Sequence, residues 1–378
     1  MMLKLIKNIN QFFSCKFIFK KPNKKPILII DGIANPFSNY FKEITYNIYY
    51  RRFEEINIPV LWDCIIELDL SPNNYLKNFL KYAKPLVLLT FIDNNPSFYQ
   101  YSKYYGIKTI FVQYGTRTYY EDIFSNKKIN NSKNKNKNFV DYMFVFNQKI
   151  GEIFQNFIQG KIIEIGSFKN NFKNYKNKKK SEILYISGFR GKNLDNYYKD
   201  DSQNDFYKND KYFVKWLYNE SKKNNLKFNI LGKSIKFYRE EKKFFEKFTE
   251  TKKINFIKNF HLRRTYEIMS KYKYVFAIES TLAIENLSKN GRTGFFFNRP
   301  YRFPINSRSF GYMEGLKPNG KFWTTDSTEK KFEKVFNFVI YSKNKDWNKA
   351  IKKIKKIVMP LDIGNKKFLK VVNEIISK

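Results

Sequence analysis

Short apolar runs recur along the first half of the chain and alternate with segments of helical length. Segments such as 72–83 and 97–105 have the length and periodicity of helices. Continuous apolar strands separated by helices are typical of a parallel sheet that is covered on both faces. The predicted strands are 26–31, 56–62, 85–93, 108–115, 141–147 and 162–167.

The same alternation resumes in the second half, after a polar stretch that loses all periodicity. Strands are predicted at 182–187, 227–232, 254–257, 274–278 and 293–297, with helices at 209–224, 236–248 and 262–271. The pattern therefore predicts an α/β protein with two Rossmann-like domains that face each other across a cleft. The predicted boundaries are 1–170 for the first domain, 171–181 for a linker, 182–345 for the second domain and 346–378 for a basic helical segment.

Two polar stretches, 125–138 and 190–210, are predicted to be long loops. The second follows the carboxyl end of a predicted strand, which is where open α/β sheets bind their ligands. The first 21 residues place Leu3, Ile6, Ile9, Phe13 and Phe17 on one stripe of a predicted helix that either lies on a membrane surface or packs in the protein.

Charge changes this picture, because 72 Lys and Arg residues outnumber 34 Asp and Glu residues to give a formal charge of +38. Such a field favours an anionic partner: nucleic acid, an acidic membrane surface or a phosphorylated substrate. The chain is also rich in Lys, Asn, Ile, Phe and Tyr, so a codon bias toward AT-rich triplets is an alternative explanation.

Cysteine and histidine are scarce. Cys15 and Cys64 have no metal-type spacing, and His261 is the lone histidine, interpreted as structural. This composition argues against a zinc site or a disulfide framework and for a reduced, intracellular protein. No run reaches the ~18 apolar residues that a membrane-spanning helix needs.

One turn carries candidate chemistry. The strand 274–278 ends in Glu279-Ser280-Thr281 and passes directly into a helix, with Glu285 on the same helix face as Thr281. A helix N-terminus with two hydroxyls is a ready phosphate site, and a carboxylate one turn later can accept hydrogen bonds from sugar hydroxyls. The alternative is a simple helix cap with Glu285 in water.

The stretch "STLAIENLSKNGRTGFFF" resembles the Ser-Thr-Leu-Gly-x-Glu-Ala-Leu-x-x-Gly segment of surface-carbohydrate (O-antigen) biosynthesis proteins, which are glycosyltransferases of the GT-B type. The segments "ILIIDG", "IFVQYGTR", "DYMFVFN", "IIEIGSFKNN" and "ILYISGFRG" match in the same order, so the resemblance covers roughly 26–325. Ala283 stands where the family pattern often has Gly, which a helix tolerates.

The resemblance implies a metal-independent GT-B enzyme with the nucleotide sugar as co-substrate, no cofactor, and the donor in the second domain. It implies that Ser280, Thr281, Leu282 and Glu285 bind the donor. Arg190 and Lys233, which follow neighbouring strands, are predicted to neutralise the departing diphosphate, with ordinary solvated charge as the alternative.

The first domain is then expected to hold the acceptor. Asp31, Asp93 and Glu121 are candidates for a general base, and burial of Asp93 would raise its pKa. In "QYGTR", Gln113 and Gly115 are predicted to line the acceptor site, and Arg117 to bind a phosphate. No Asp-x-Asp metal motif is convincing, since Asp200-Asp201 lies in a polar loop.

The leading prediction is a glycosyltransferase acting on a surface polysaccharide of the O-antigen or capsule type. Its predicted acceptor is a glycan, and the predicted location is the cytoplasm. If the glycan is lipid-linked, the enzyme is expected at the cytoplasmic face of the inner membrane. A glycerol- or ribitol-phosphate transferase is the alternative on the same fold, and a sugar-nucleotide epimerase ranks lower. A basic nucleic-acid-binding protein or a non-catalytic scaffold is the alternative of another class, although no specific nucleic-acid motif is present.

Overall fold

The computed structural model describes residues 15–32, 36–51, 54–93, 98–99, 105–116, 138–173, 175, 177–189, 202–251, 254–259, 262–297 and 316–377. The chain divides into two compact units. Unit 1 comprises Met1–Tyr114, Ile123–Phe172 and Asn365–Lys378, and unit 2 comprises Gly115–Asp122 and Lys173–Gly364.

Unit 1 contains a six-stranded sheet in which every neighbouring pair is parallel. Two adjacent inner strands, Ile27–Ile30 and Val87–Thr90, are buried along their whole length, because both faces of the sheet are covered there. In chain order the strands of unit 1 are β1 (Lys16–Ile18), β2 (Ile27–Ile30), β3 (Tyr46–Tyr49), β4 (Glu55–Asn57), β5 (Val87–Thr90), β6 (Lys108–Val112), β7 (Phe139–Val145) and β8 (Gln159–Glu164). The sheet order is β3-β2-β5-β6-β7-β8, while β1 and β4 pair separately.

Among the described residues before Lys173, unit 1 contains the helices α1 (Ile58–Ile66), α2 (Pro72–Ala83), α3 (Gln148–Gln155) and α4 (Phe168–Asn171). Helix α2 has the predicted bounds, since Ser71 caps its first turn by accepting from the Asn74 amide at 3.2 Å.

The predicted strand at 56–62 is wrong over most of its length. Strand β4 ends at Asn57, whose side-chain oxygen accepts a hydrogen bond from the Val60 amide at 3.2 Å and caps helix α1. Pro59 lies in the first turn of this helix, where a missing N–H costs nothing. The apolar run therefore continues as a helix, because a polar cap followed by proline outweighs the β-branched residues.

Unit 2 contains a second six-stranded sheet, also parallel throughout. Its strands are β9 (Lys180–Ile186), β10 (Phe228–Leu231), β11 (Asn255–Ile257), β12 (Tyr272–Ala277), β13 (Arg292–Phe296) and β14 (Trp323–Thr324). The order β11-β10-β9-β12-β13-β14 is the 3-2-1-4-5-6 order of a Rossmann fold. Its helices are α5 (Ser202–Lys223), α6 (Tyr238–Thr249), α7 (Leu262–Ser270), α8 (Thr281–Ser288), α9 (Glu329–Tyr341) and α10 (Asn344–Val358).

Several elements depart from the predicted pattern. Helix α5 begins at Ser202, inside the stretch predicted as a loop at 190–210, and strands β1 and β3 and helix α9 had no predicted counterpart. Phe17 lies in strand β1, not on a helix, and residues 1–14 lie outside the described part of the chain. Most of the predicted loop at 125–138 and of the predicted helix at 97–105 also lies outside it.

Each sheet has one topological switch point, where the chain order of the strands reverses direction. In unit 1 it lies between β2 and β5, and in unit 2 between β9 and β12. Ligands of open α/β sheets bind outside the carboxyl ends of the strands at this point, so the residues that follow these four strands are the first candidates for a site.

The last helix, α11 (Lys366–Ile376), belongs to unit 1. Phe368 and Val372 are fully buried in the aromatic core of that unit, and the Phe368 ring stacks on Phe37 with centroids 5.6 Å apart. The segment predicted as one C-terminal helical piece, 346–378, is therefore two helices, of which only the first packs in unit 2. None of the helices among the described residues is long and apolar enough to cross a membrane.

Candidate functional site

The start of helix α8 lies at the switch point of unit 2, directly after β12. Ser280 is the N-cap residue with an extended backbone, φ −157° and ψ 124°, and its carbonyl accepts from the Ala283 and Ile284 amides at 3.1 and 3.2 Å. Its side chain makes no capping hydrogen bond. Ser280 and Leu282 are half-buried. The hydroxyl of Ser280 and the first-turn amides of α8 therefore form a donor-rich helix N-terminus at the edge where a ligand is expected.

Thr281 differs from its neighbour, because its hydroxyl is held by another part of unit 2. Thr281 Oγ1 accepts a hydrogen bond from the Thr116 amide at 3.1 Å, and the two threonine hydroxyls lie 3.0 Å apart. A Cβ on Gly115 would lie 3.7 Å from this oxygen. The structure thus brings the predicted residues Gly115 and Thr281 together, through Thr116, a residue that the sequence reasoning did not single out.

Glu285 is only 2% exposed, and its carboxylate accepts a hydrogen bond from the Tyr266 hydroxyl at 2.8 Å. Lys289 follows one turn later, and its ammonium donates to the Lys173 carbonyl at 2.7 Å. Burial lowers the pKa of Lys289 to about 8, against the opposing influence of Glu285. Glu285 is therefore an internal group behind the helix start, and it does not face water as the helix-cap alternative required.

Lys233 follows strand β10 in unit 2 and is exposed. Its backbone N–H donates to both oxygens of Glu241, at 3.0 Å each. The exposed Lys233 side chain therefore extends from a loop whose backbone is held by the Glu241 carboxylate. Glu241 was not among the predicted residues, since a glutamate in a helix with alternating charges has no signal in sequence that distinguishes it from a solvated one.

The predicted acidic residues of unit 1 follow neighbouring strands at the switch point of that sheet. Asp31 follows β2 in the left-handed region, φ 63°, and its Oδ1 accepts from the Arg51 amide at 3.2 Å. Asp93 follows β5, is fully buried, and accepts from the Tyr114 amide at 3.4 Å. The structure therefore places two buried carboxylates, 5% and 0% exposed, at adjacent carboxyl ends.

Gln113 has a structural contact. Its side-chain oxygen accepts from the Phe146 amide at 2.8 Å, and the residue is 2% exposed. Its neighbour Tyr114 is 43% exposed, and the Lys169 ammonium lies 4.2 Å from the centroid of the Tyr114 ring. Tyr114 and Lys169 were not among the predicted site residues, and they add to the candidate site at this edge of unit 1. The aromatic residue in "QYGTR" was the feature of the sequence that could have indicated Tyr114.

Several predicted residues lie outside the described part of the chain: Arg117, Glu121, Arg190, Asp200, Asp201 and His261. Within the described ranges, no group of three or more His, Cys, Asp or Glu side chains is arranged to hold a metal ion. Cys15 and Cys64 are both buried free thiols.

Residues 110–376 match the model of a protein family described as "putative O-antigen biosynthesis protein". The chain belongs to this family. The match includes the last strands of unit 1, all of unit 2 from Lys173 onward and nearly all of α11, and it contains Gln113, Ser280 and Glu285. No curated protein sequence matches the chain.

Solved structures with the same architecture cover almost the whole chain. The wall teichoic acid polymerase TagF, in its H548A variant, is 13% identical with a TM-score of 0.52 over 95% of this chain and 91% of its own. The UDP-GlcNAc 2-epimerase of Neisseria meningitidis, bound to UDP-GlcNAc, is 13% identical with a TM-score of 0.51 over 93% and 99%. The corresponding epimerase of Methanocaldococcus jannaschii, with UDP-GlcNAc and UDP, is 12% identical with a TM-score of 0.51 over 92% and 99%. These likenesses confirm the predicted GT-B fold of two Rossmann-like domains.

Proposed function

We propose that this member of the O-antigen biosynthesis family is a glycosyltransferase that moves a sugar from a nucleotide-sugar donor to a surface-polysaccharide acceptor. The observation that carries the proposal is the start of α8, where the Ser280 hydroxyl makes no capping hydrogen bond at the switch point of a Rossmann sheet. Helix N-termini bind phosphates, and open α/β sheets bind their ligands at the switch point. Family membership supplies the biosynthetic context.

On the donor side, each group has a distinct part in the proposal. The first-turn amides of α8 and the Ser280 hydroxyl bind the diphosphate, and the exposed Lys233 ammonium meets the negative charge that grows as the diphosphate departs. Thr281, held by Thr116, fixes the backbone of the helix start instead of contacting the ligand through its hydroxyl. In this proposal, these groups take the part that a metal ion plays in metal-dependent transferases.

On the acceptor side, we propose that Asp93 or Asp31 accepts the proton of the attacking hydroxyl. Each carboxylate accepts a hydrogen bond from a backbone amide, which orients it at the carboxyl end of its strand. The exposed Tyr114 ring beside Lys169 offers an apolar face for a sugar next to a positive charge. The formal charge of +38 is consistent with work at an anionic membrane face on a lipid-linked acceptor.

A second candidate is transfer of a polyol phosphate from a cytidine diphosphate donor. It is favoured by the similarity in fold to TagF, whose structures include one of the H444N variant soaked with CDPG. Both reactions use the same diphosphate site, and the donor therefore distinguishes them.

The test is a thermal-shift series on the purified protein with UDP, CDP, GDP and dTDP, their common sugar conjugates, CDP-glycerol and inorganic tripolyphosphate. We expect one base-specific nucleotide to stabilise the protein by roughly 2.7 kcal/mol at 100 times its Kd, because it binds only the folded state. Ser280→Ala removes one hydrogen bond to a charged group and is expected to weaken binding about tenfold.

The matched control is Ser327→Ala, which removes an exposed serine hydroxyl elsewhere in unit 2. A preference for CDP-glycerol would favour the polyol-phosphate reaction. Equal stabilisation by every polyanion, unchanged in Ser280→Ala, would reduce the start of α8 to a helix cap and overturn both candidates.

A further inference from the structure

A completely buried carboxylate lies under the carboxyl ends of two neighbouring strands of unit 2. Glu241, on helix α6, is 0% exposed. Its two oxygens accept from the Lys233 amide at 3.0 Å each, in the loop after β10. The Ser234 amide and the Ser187 hydroxyl, which follows β9, also favour the charged form of Glu241. One side chain therefore lies against the loops of two adjacent strands.

The backbone is shaped around this carboxylate. A Cβ added to Gly232 would lie 3.2 Å from Glu241 Oε2 and 3.0 Å from the Phe256 ring, so the chain passes close to the acid at a residue without a side chain. The amides of Lys233 and Ser234 and the Ser187 hydroxyl form a hollow of the kind that binds anions in many α/β proteins. Here the hollow is already filled by the protein's own carboxylate.

The electrostatics of Glu241 are unusual for a residue that only stabilises a fold. Burial raises the pKa of Glu241 to about 7, against the opposing influence of Ser187, of the Lys233 and Ser234 amides and of the Lys233 charge. Keeping the charged form buried therefore costs folding free energy near neutral pH. Perturbed acids of this kind concentrate at functional edges, where a fixed geometry matters more than stability.

We propose that Glu241 is a positioning residue of the donor site, which holds the β9 and β10 loops so that the Lys233 side chain meets the donor diphosphate. This inference rests on the proposed function. It follows that the Lys233 amide is engaged by Glu241 and that the ligand meets the Lys233 ammonium. Glu241 itself touches no substrate, so its effect on binding is transmitted through the two loops.

The test compares Glu241→Gln with Glu246→Gln by hydrogen exchange and by calorimetric titration. Glutamine has the same size, but its NH₂ group cannot accept from the facing N–H donors. Glu246 lies on the same helix and pairs with Lys242 on the surface, 3.6 Å away, so its variant is the control for the chemical change alone. Lys233 and Ser234 amide exchange is expected to accelerate at least tenfold in Glu241→Gln only.

The binding probes are UDP-N-acetylglucosamine and CDP-glycerol, whose diphosphate diesters do not titrate near neutral pH. The tighter of the two is expected to bind at least tenfold more weakly to Glu241→Gln than to the wild type at pH 8. In the wild type, affinity is expected to fall between pH 8 and pH 6 as Glu241 takes up a proton, and this fall is absent from the variant. The wild-type arm requires no substitution, so an affinity that stays constant between pH 8 and pH 6 overturns the positioning role even if the variant does not fold.

The outcomes separate this inference from the proposed function. Unchanged exchange at Lys233 and Ser234 in a folded Glu241→Gln protein overturns the positioning role. Accelerated exchange with unchanged affinity shows a purely structural contact and overturns it as well. If neither probe binds the wild type and exchange still accelerates, Glu241 positions the loops and the proposed donor chemistry is what fails.

Discussion

At the scale of single residues, two adjacent hydroxyls in the sequence have different surroundings in the structure. Thr281 is hydrogen-bonded to Thr116, whereas the Ser280 side chain caps nothing in its helix. Glu285, predicted to face a sugar, is buried against Tyr266. The residue types were informative, but their partners come from segments far away in the chain.

Lys289 gives a prediction at this scale. Its pKa is lowered to about 8 mainly by burial, so the folded protein disfavours its charged form. A base with a depressed folded pKa costs stability below that pKa, and the cost disappears as pH rises from about 8 toward the unfolded value of 10.5. Because Lys289 is partly solvated, we expect a cost of about 1 kcal/mol, well below the full shift.

The measurement is urea unfolding of the wild type and Lys289→Met at pH 7 and pH 9.5. The free energy of unfolding of Lys289→Met is expected to exceed that of the wild type at pH 7, and this difference is expected to shrink at pH 9.5. Lys352→Met, on the exposed face of α10, is the control. A difference between wild type and Lys289→Met that is the same at both pH values would contradict the prediction.

At the scale of elements, one buried cation joins a strand to the ends of two helices. Arg292, on β13, is 8% exposed and donates to the Val339 carbonyl at 2.8 Å and to the Ser342 carbonyl at 2.5 Å, near the C-terminus of α9. It also donates to the Asn344 side chain at 3.1 Å, at the start of α10. These acceptors are the carbonyls that a helix end leaves without partners, so Arg292 acts as a cap supplied from the sheet.

Arg292→Lys is expected to destabilise the protein by about 2 kcal/mol, because a single ammonium cannot reach acceptors that a planar guanidinium bridges. The loss is measured as the shift in the urea midpoint at constant m-value. Arg239→Lys, at an exposed position on α6, serves as the control. Equal urea midpoints for Arg292→Lys and the wild type would show that the hydrogen bonds of Arg292 to the helix ends contribute nothing to stability.

At the scale of the whole molecule, the C-terminus returns to the unit that contains the N-terminus. Asn365 begins this return with a left-handed backbone, φ 51°, and its side chain donates to the Tyr40 hydroxyl at 2.7 Å and to the Phe168 carbonyl at 2.9 Å. Helix α11 then completes the aromatic core of unit 1 with Phe368. The core of unit 1 therefore depends on residues far apart in the sequence.

Phe368→Ala is expected to cost about 3–4 kcal/mol, since it leaves a cavity among fully buried rings. Hydrogen exchange is expected to accelerate in β2 and β5 of unit 1, and to remain unchanged in β9 and β12 of unit 2. Lys370→Ala, an exposed change on the same helix, controls for helix propensity. Equal acceleration in the two sheets would mean that α11 does not act on unit 1 alone.

Sequence alone determined the fold class and the sheet edge at which candidate site residues lie. The strands that it predicted at 85–93, 108–115 and 274–278 contain β5, β6 and most of β12, because strands buried on both faces must be continuously apolar. Polar residues after such strands mark the carboxyl edge without knowledge of the third dimension, which is why the sequence places Asp31, Asp93 and Ser280 there as candidates.

Tertiary structure decided which of these residues have partners and what their partners are. The strand order, the cap at Asn57, the return of α11 and the burial of Glu241 all depend on contacts between segments distant in sequence. A glutamate in an amphipathic helix looks the same whether it faces water or two backbone loops, since periodicity reports the face of a helix and not what covers it. Glu241 could therefore be identified only in the folded chain.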